Sequence, residues 1–416
     1  MPRTLDWFYP GLGVKRWLVL AFAGGAVLVY AVLFTIALQW SPQLMRGLGL
    51  GWLQGRHWAA LLLAFDMFVL GGLMLVVGVR RVWVFQRTTP ETASEIRAAG
   101  QLARGPRVVA IGGGNGLAAL LRGLKGHTSN LTAVVTMADD GGSSGLLRRD
   151  MGMPPPGDLR NCLVALADDE SLMSQLFKYR FPDIGDLHGH SFGNLFMAAL
   201  TEVTGDFELA VQESTRVLKV RGRVLPSTLE DVMLHAQLEG GDRVSGESTI
   251  TAADRLPRRV WLTPEGPRAL PQALAAIMRA DLVVLGPGSL YTSVIPNLLI
   301  TEVRDALKAT RAQIVYVCNV MTEPGETEGY TAGDHLDALR RHGARGVIDV
   351  VLVNDGPISA EMVAIYQRQG SQPVVIDDQR IRGLGVKVVS EPVAAESKVV
   401  RHDSEQLALS VLRLLK

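Results

Sequence analysis

Two rhythms of apolar and polar positions divide this chain. Residues 18–39 form a nearly unbroken apolar run of 22, and residues 59–79 a second run of 21. About 20 residues of helix cross the hydrocarbon core of a bilayer, so each run predicts a transmembrane helix. Beyond residue 105 the pattern changes to short β-rich runs, glycine turns and apolar residues at helical spacing. The first such unit joins a strand at 108–111 to the turn 112–116. A helix follows, with Leu117, Leu120, Leu121 and Leu124 on one face. Further strands are expected at 131–136, 281–285, 313–318, 347–353 and 373–376. Alternation over 232–245 around the turn 239–242 predicts a hairpin. Strands alternating with helices predict an α/β fold, a mostly parallel sheet covered on both faces.

The two long runs predict a membrane hairpin over residues 1–87, followed by a linker at 88–105 and one domain at 106–416. Six of the seven tryptophans precede residue 84. Trp17 and Trp40 flank the first run, and Trp58 and Trp83 the second, as interfacial indoles do. Asp66 interrupts the second run. A central carboxylate costs about 2.5–3.5 kcal/mol, whereas the twelve Leu, Phe and Val residues of 61–79 return roughly 4–7, so insertion is favoured. Arg3, Lys15 and Arg16 precede the first run, Arg80, Arg81 and Arg87 follow the second, and the loop holds Arg46 and Arg56. This bias predicts a two-pass protein of a bacterial cytoplasmic membrane, with both termini and the domain on the cytoplasmic side. The first run is too long for the apolar region of a cleaved signal peptide.

Charge and cysteine content narrow the classes of partner. Forty-two Lys and Arg balance 41 Asp and Glu, so no basic excess points to nucleic acid. Cys162 and Cys318 are far apart and outside any C-x-x-C pattern, which fits a reducing compartment. No metal-binding spacing of cysteine and histidine occurs.

Candidate chemistry lies in the turns. Gly112, Gly113, Gly114, Asn115 and Gly116 connect a strand to a helix, whose start suits a phosphate. The spacing is not G-x-G-x-x-G, and the missing Lys-Ser or Lys-Thr excludes a P-loop. Asp139 follows Gly116 by 23 residues, near the position of a ribose-binding carboxylate. With Asp140 it precedes a donor-rich loop containing Ser143 and Ser144. The two carboxylates either contact ribose or sugar hydroxyls, which ranks first, or hold Mg²⁺ with phosphate as co-ligand. Asp158 is expected to cap a helix starting at Leu159, with Arg160 and Asn161 in its first turn. Residues 168–170 read as a solvated junction. His190, Ser191 and Asn194 lie at another helix start, where hydrogen bonding is favoured over a metal pair. No G-x-S-x-G elbow supports a serine hydrolase. Arg221 and Arg223 form a donor fork before Ser227 and Thr228. A third glycine turn holds Gly286, Gly288 and Ser289, ahead of Tyr291. Asn319 follows the strand at 313–318. The turns after Ile111 and Leu285, with the Asp139 loop, are expected at one sheet edge, forming one site.

The stretches IGGGNGL, ADDGGSSGLLRRD, PPGDLRNCLVALA, GHSFGNL, VRGRVLPST, LGPGSLYTSVIPNLL and VCNVMTEPGET run from about residue 107 to 355. In combination they resemble the CofD-like superfamily, specifically the YvcK or GlmR type of gluconeogenesis factor. Asn115 stands where that family often has Thr. The resemblance implies a Rossmann-like fold binding UDP-sugars, notably UDP-N-acetylglucosamine, with no cofactor required. It also implies a regulatory role joining carbon metabolism to peptidoglycan precursor supply and cell shape. The simplest members lack the hairpin. In this picture the diphosphate lies on Gly112–Gly116 and near Arg221 or Arg223, Asp139 or Asp140 takes sugar hydroxyls, and Tyr291 stacks on the base or sugar. A regulatory protein partner in amino-sugar synthesis and self-association are expected. Two alternatives are a CofD-like phospholactate transferase and a nicotinamide-dependent oxidoreductase; the latter rests on fold and Asp139 alone.

Overall fold

The computed structural model describes residues 14–40, 57–87, 100–167, 172–182 and 187–415. It consists of two compact units, residues 1–100 and 101–416. Arg3, Trp7, Arg46, Trp52, Arg56, most of the 88–105 linker and the 168–170 junction lie outside the described residues.

The first unit pairs two helices, α1 (Val14–Trp40) and α2 (His57–Arg87), each long and apolar enough to cross a membrane. Small residues set their contact. A Cβ on Gly24 would meet the Leu75 nitrogen at 2.6 Å, and one on Gly78 would meet Ala21 at 2.7 Å. At one end the guanidinium of Arg81 lies 5.3 Å from the Trp17 ring centroid, and that of Arg16 lies 5.9 Å away. Such cation–π contacts suit an interfacial position.

The second unit is built on a seven-stranded sheet. Its strands are β1 (Val108–Gly112), β2 (Leu131–Val135), β3 (Arg223–Pro226), β7 (Leu282–Leu285), β8 (Gln313–Val317), β9 (Val350–Asn354) and β10 (Lys387–Glu391). All pairs are parallel, in the order β10-β9-β8-β7-β1-β2-β3. The first three strands run outward in one direction and the last four in the other, as in dinucleotide-binding folds. The order reverses between β1 and β7, where such sheets hold their ligands. β1 and β2 are buried throughout, as central strands covered on both faces must be. The expected helix is α3 (Gly114–Leu124), which buries Leu117, Leu120, Leu121 and Leu124.

A smaller antiparallel sheet orders β5 (Arg243–Ser245), β4 (Met233–Leu238) and β6 (Pro257–Thr263). Its first two strands form the expected hairpin; β6 had no turn signal short enough to be read as part of it. Residues 373–376 are not a sheet strand, because Pro373 and Val375 make only isolated bridges to Met321 and Thr331. The edge position belongs instead to β10. A two-stranded hairpin, β11 (Ala394–Glu396) and β12 (Val400–His402), precedes a helix at Ser404–Leu412 that packs on α3. Gly123 makes this approach feasible, since any Cβ there would collide with the Ser404 carbonyl.

Candidate functional site

The turns after β1 and β7 are locked together at the reversal point. Gly286 N–H donates to the Ile111 carbonyl (2.8 Å), and Thr136 N–H donates to that of Gly112 (2.9 Å). Asn297, fully buried, donates to the Ser293 carbonyl at 2.9 Å and to that of Gly112 at 3.4 Å. Gly114 has φ +65°, a conformation that favours glycine. Gly116 faces the second turn so closely that a Cβ would lie 2.6 Å from the Pro287 carbonyl oxygen. The start of α3 therefore opens into a cleft of about 530 Å³. Gly113–Gly116, Asp139 and the Pro287–Ser289 turn all line it, so the three expected loops do converge.

The floor of the cleft is acidic. Helix α4 (Gly142–Met151) follows the Asp139 loop, and α5 (Gly157–Leu166) brings in Asp158. Asp158 does not cap its own helix, which begins at Gly157 after Pro156. It accepts the Gly114 N–H, at the start of α3, instead. Burial and the nearby Asp139 charge push its carboxyl up to about 7, against that hydrogen bond. Glu247 is likewise pushed to about 7 by burial and by Asp139, Asp140 and Asp158. Burial, reinforced by the like charge of Arg180, lowers Arg160 to about 10, against the attraction of Asp158 and Asp139. Near neutral pH this floor holds protons that exposed carboxylates would have lost.

The other wall comes from the segment after β8. Glu323 is raised by burial, against hydrogen bonds from Ser289 and Asn319. Asn319 donates to it at 3.1 Å, while its own buried Oδ1 has no partner among the described residues. An acceptor left open on a cleft wall is suited to a ligand donor. Behind this wall Glu326 accepts from the Tyr291 N–H (3.1 Å) and the Thr292 hydroxyl (2.8 Å). Burial and Glu323 raise it to about 8. Arg401, carried by β12, supplies a cation to the rim. Its neighbour His402 is lowered to about 4 by burial and contacts the Cys318 carbonyl at 3.2 Å.

Several expected residues sit elsewhere. Parallel register aligns Arg223 with Thr132 and Pro226 with Val135, which itself pairs with Gly112. Arg223 is thus three residues, about 10 Å, back from the cleft edge, and Arg221 farther still. Arg223 donates to the Thr132 hydroxyl. Tyr291 is fully buried in a π-helical turn (Leu290–Val294), its hydroxyl 3.0 Å from that of Tyr330, so its ring cannot stack on a ligand here. Asp140 turns away to accept the Ser248 N–H (2.9 Å). Asn161 accepts from Arg160 (2.7 Å), a full turn into α5 rather than in its first turn.

Ser143 lies 3.0 Å from both His190 Nδ1 and Asn194 Nδ2, and Ser191 caps the helix Phe192–Thr204 by accepting from Asn194 N–H. This cluster braces α4. Ser144 and Asp139 both flank Gly157, whose missing side chain admits them. Ser227 donates its N–H to the Val135 carbonyl, and the Thr228 hydroxyl accepts from Glu230 N–H, both buried at the carboxyl end of β3. Glu247 and Arg401 had no local signal in the sequence: one follows a hairpin and the other sits on a three-residue strand.

A strand order reversing beside glycine turns, with a polar cleft at the carboxyl ends, defines an α/β protein of Rossmann type. Comparison with known proteins narrows this. Residues 108–394 match the family model of 2-phospho-L-lactate transferase CofD. A putative gluconeogenesis factor of Nostoc sp. is 44% identical over 99% of this chain and 92% of its own length. The gluconeogenesis factor of Bacillus subtilis is 47% identical, over 75% of this chain and 98% of its own. A crystal structure of a Bacillus halodurans protein superposes with TM-score 0.71 at 48% identity, covering 73% of this chain and 99% of that one. The chain belongs to the CofD-like gluconeogenesis factors.

Proposed function

We propose that this chain is a membrane-tethered regulatory protein that binds a UDP-sugar, notably UDP-N-acetylglucosamine, in the cleft between the β1 and β7 turns. In this role it links carbon metabolism to cell-wall precursor supply and cell shape. The observation that carries the reading is the joint approach of Gly116 and Pro287, which aims the start of α3 into the cleft. The first N–H groups of a helix lack intrahelical partners, and Asp158 takes that of Gly114. Asn115 and Gly116 N–H groups with Arg401 then suit a pyrophosphate, while Asn319 and Asp139 suit hydroxyl or amide donors. The cleft volume is within the range of small-molecule sites.

Calorimetric titration of UDP-N-acetylglucosamine into residues 101–416 tests this. That unit contains all of the residues, 108–394, that match the family model. Saturable heat at micromolar to low millimolar ligand is expected, and none at several millimolar would refute it.

α1 and α2 are read as a two-pass anchor in a bacterial cytoplasmic membrane, with both termini and the domain cytoplasmic. Retention in membranes after alkaline carbonate washing is expected; release would refute the anchor. A second reading is favoured by the family model and by Asp139 beside Asp158: transfer of a phospho group from a nucleotide-activated donor. Mg²⁺ held by these carboxylates and by donor phosphate would stabilise charge on the transferred group. A Mg²⁺-dependent product from such a donor and a deazaflavin would establish it. Without product, the binding role stands alone.

A further inference from the structure

We propose that the hairpin pairs with a second copy of itself through reciprocal Tyr30–Asp66 hydrogen bonds across a two-fold axis. The proposal rests on the reading of α1 and α2 as membrane spans. Asp66 is exposed on the hairpin, and no Lys, Arg or His occurs within residues 18–39 or 59–79 to offset its charge. Carboxyl groups at such depth pair with other polar groups rather than face lipid. The Thr35 hydroxyl is already spent on the Ala31 carbonyl (2.8 Å). Tyr30 is 38% exposed and carries a phenol, a good donor to a carboxyl oxygen.

Depth and direction bring these two groups together only between copies. Gly71 abuts Gly24 and Leu28, and Gly78 abuts Ala21, so Asp66 lies within about one turn of the level of Tyr30. On α1, Tyr30 precedes the contact stripe of Gly24 and Ala31 by roughly 100–120° around the helix. On α2, Asp66 precedes the stripe of Ala64, Gly71 and Gly78 in the same sense, by roughly 120–160°. In an antiparallel pair, offsets of the same sense fall on the same side. Tyr30 and Asp66 therefore share one face of the hairpin. A two-fold axis along the membrane normal preserves depth and sets α1 of each copy against α2 of the other. Tyr30 then meets Asp66 of the second copy twice, as an isologous interface requires. Membrane-buried hydrogen bonds of ordinary strength, made twice, shift a dimerisation constant by about tenfold.

The test uses the full chain in native membranes. Differently tagged copies carrying Ala26→Cys and Leu70→Cys, which leave Tyr30 and Asp66 intact, are co-expressed and oxidised. A second pair, Val32→Cys with Phe65→Cys, probes the opposite side. Cross-linking of the first pair but not the second is expected. Tyr30→Phe and Asp66→Leu should each weaken dimerisation in nanodiscs by about threefold to tenfold. Equal cross-linking of both pairs, or dimerisation unmoved by Tyr30→Phe, in a chain that resists carbonate would overturn the pairing and leave the anchor intact. Release by carbonate would instead show that the anchor reading had failed, and the pairing with it.

Discussion

Asp158 accepts the N–H of Gly114, so a buried carboxylate occupies the first donor of the helix start that faces the cleft. A negatively charged ligand must share this end of α3 with it. Asp158 and Glu247, both raised to about 7, bind protons most readily when an anion arrives. UDP-sugar binding should therefore take up protons and weaken as pH rises from 6 to 8, by about threefold to tenfold. Asp158→Asn keeps an acceptor for Gly114 and removes the charge. It should tighten binding at pH 8 and flatten the profile, read by calorimetry in two buffers of different ionisation heat. Weaker binding rescued by Mg²⁺ would favour the metal-assisted reading.

Gly116→Ala should part the two turns. The added Cβ meets backbone atoms of Pro287 and Gly288, which cannot swing aside as a flexible side chain would. A loss of about 1–3 kcal/mol in denaturant unfolding is expected, with ligand affinity down by tenfold or more. Gly383→Ala, where among the described residues an added Cβ meets nothing within 4 Å beyond its own helix, should stay within about 0.5 kcal/mol of the wild type.

Arg401 and Arg223 separate a charge at the cleft from a charge merely near it in sequence motifs. Arg401→Gln should lower UDP-sugar affinity by about tenfold or more, as loss of a charge-assisted hydrogen bond does. Arg223→Gln, at the opposite end of β3, should leave affinity unchanged. Equal effects would place the diphosphate elsewhere.

Glu326 tunes stability rather than binding. Its carboxyl is raised to about 8 in the folded chain, so it keeps a proton that the unfolded chain sheds near the ordinary value of 4.5. Stability from this group is full below the unfolded value and falls as pH rises towards 8. Glu326→Gln imitates the protonated form and can still accept from Tyr291 and donate to Thr292. At pH 8 its melting temperature should exceed the wild type by about 1–3 °C, with the advantage gone by pH 5. Thermal scans across that range decide it.

The amphipathic spacing of Leu117, Leu120, Leu121 and Leu124, the buried β-rich runs and the long apolar stretches were all legible because each reflects a local rule: one face of a helix, a strand covered twice, a span of hydrocarbon. Local rules also marked the glycine turns at 112–116 and 286–288. They did not reveal which residues share a cleft, because register and crossover decide that. Arg221 and Arg223 look like a phosphate fork in the sequence, yet parallel pairing with Thr132 sets Arg223 at the far end of its strand, with Arg221 before it. Tyr291 follows a glycine turn, yet a π-helical turn buries its ring. Asp158 has the form of a helix cap, but close packing of α5 against α3 assigns it to Gly114. Glu247 opens a short helix after β5 and Arg401 sits on a late hairpin, both more than a hundred residues from the first glycine turn, and only the folded chain brings them to its rim. The chain's periodicity determined its elements; long-range packing decided their chemistry, since burial and neighbouring charge belong to the assembled cleft and to no segment alone.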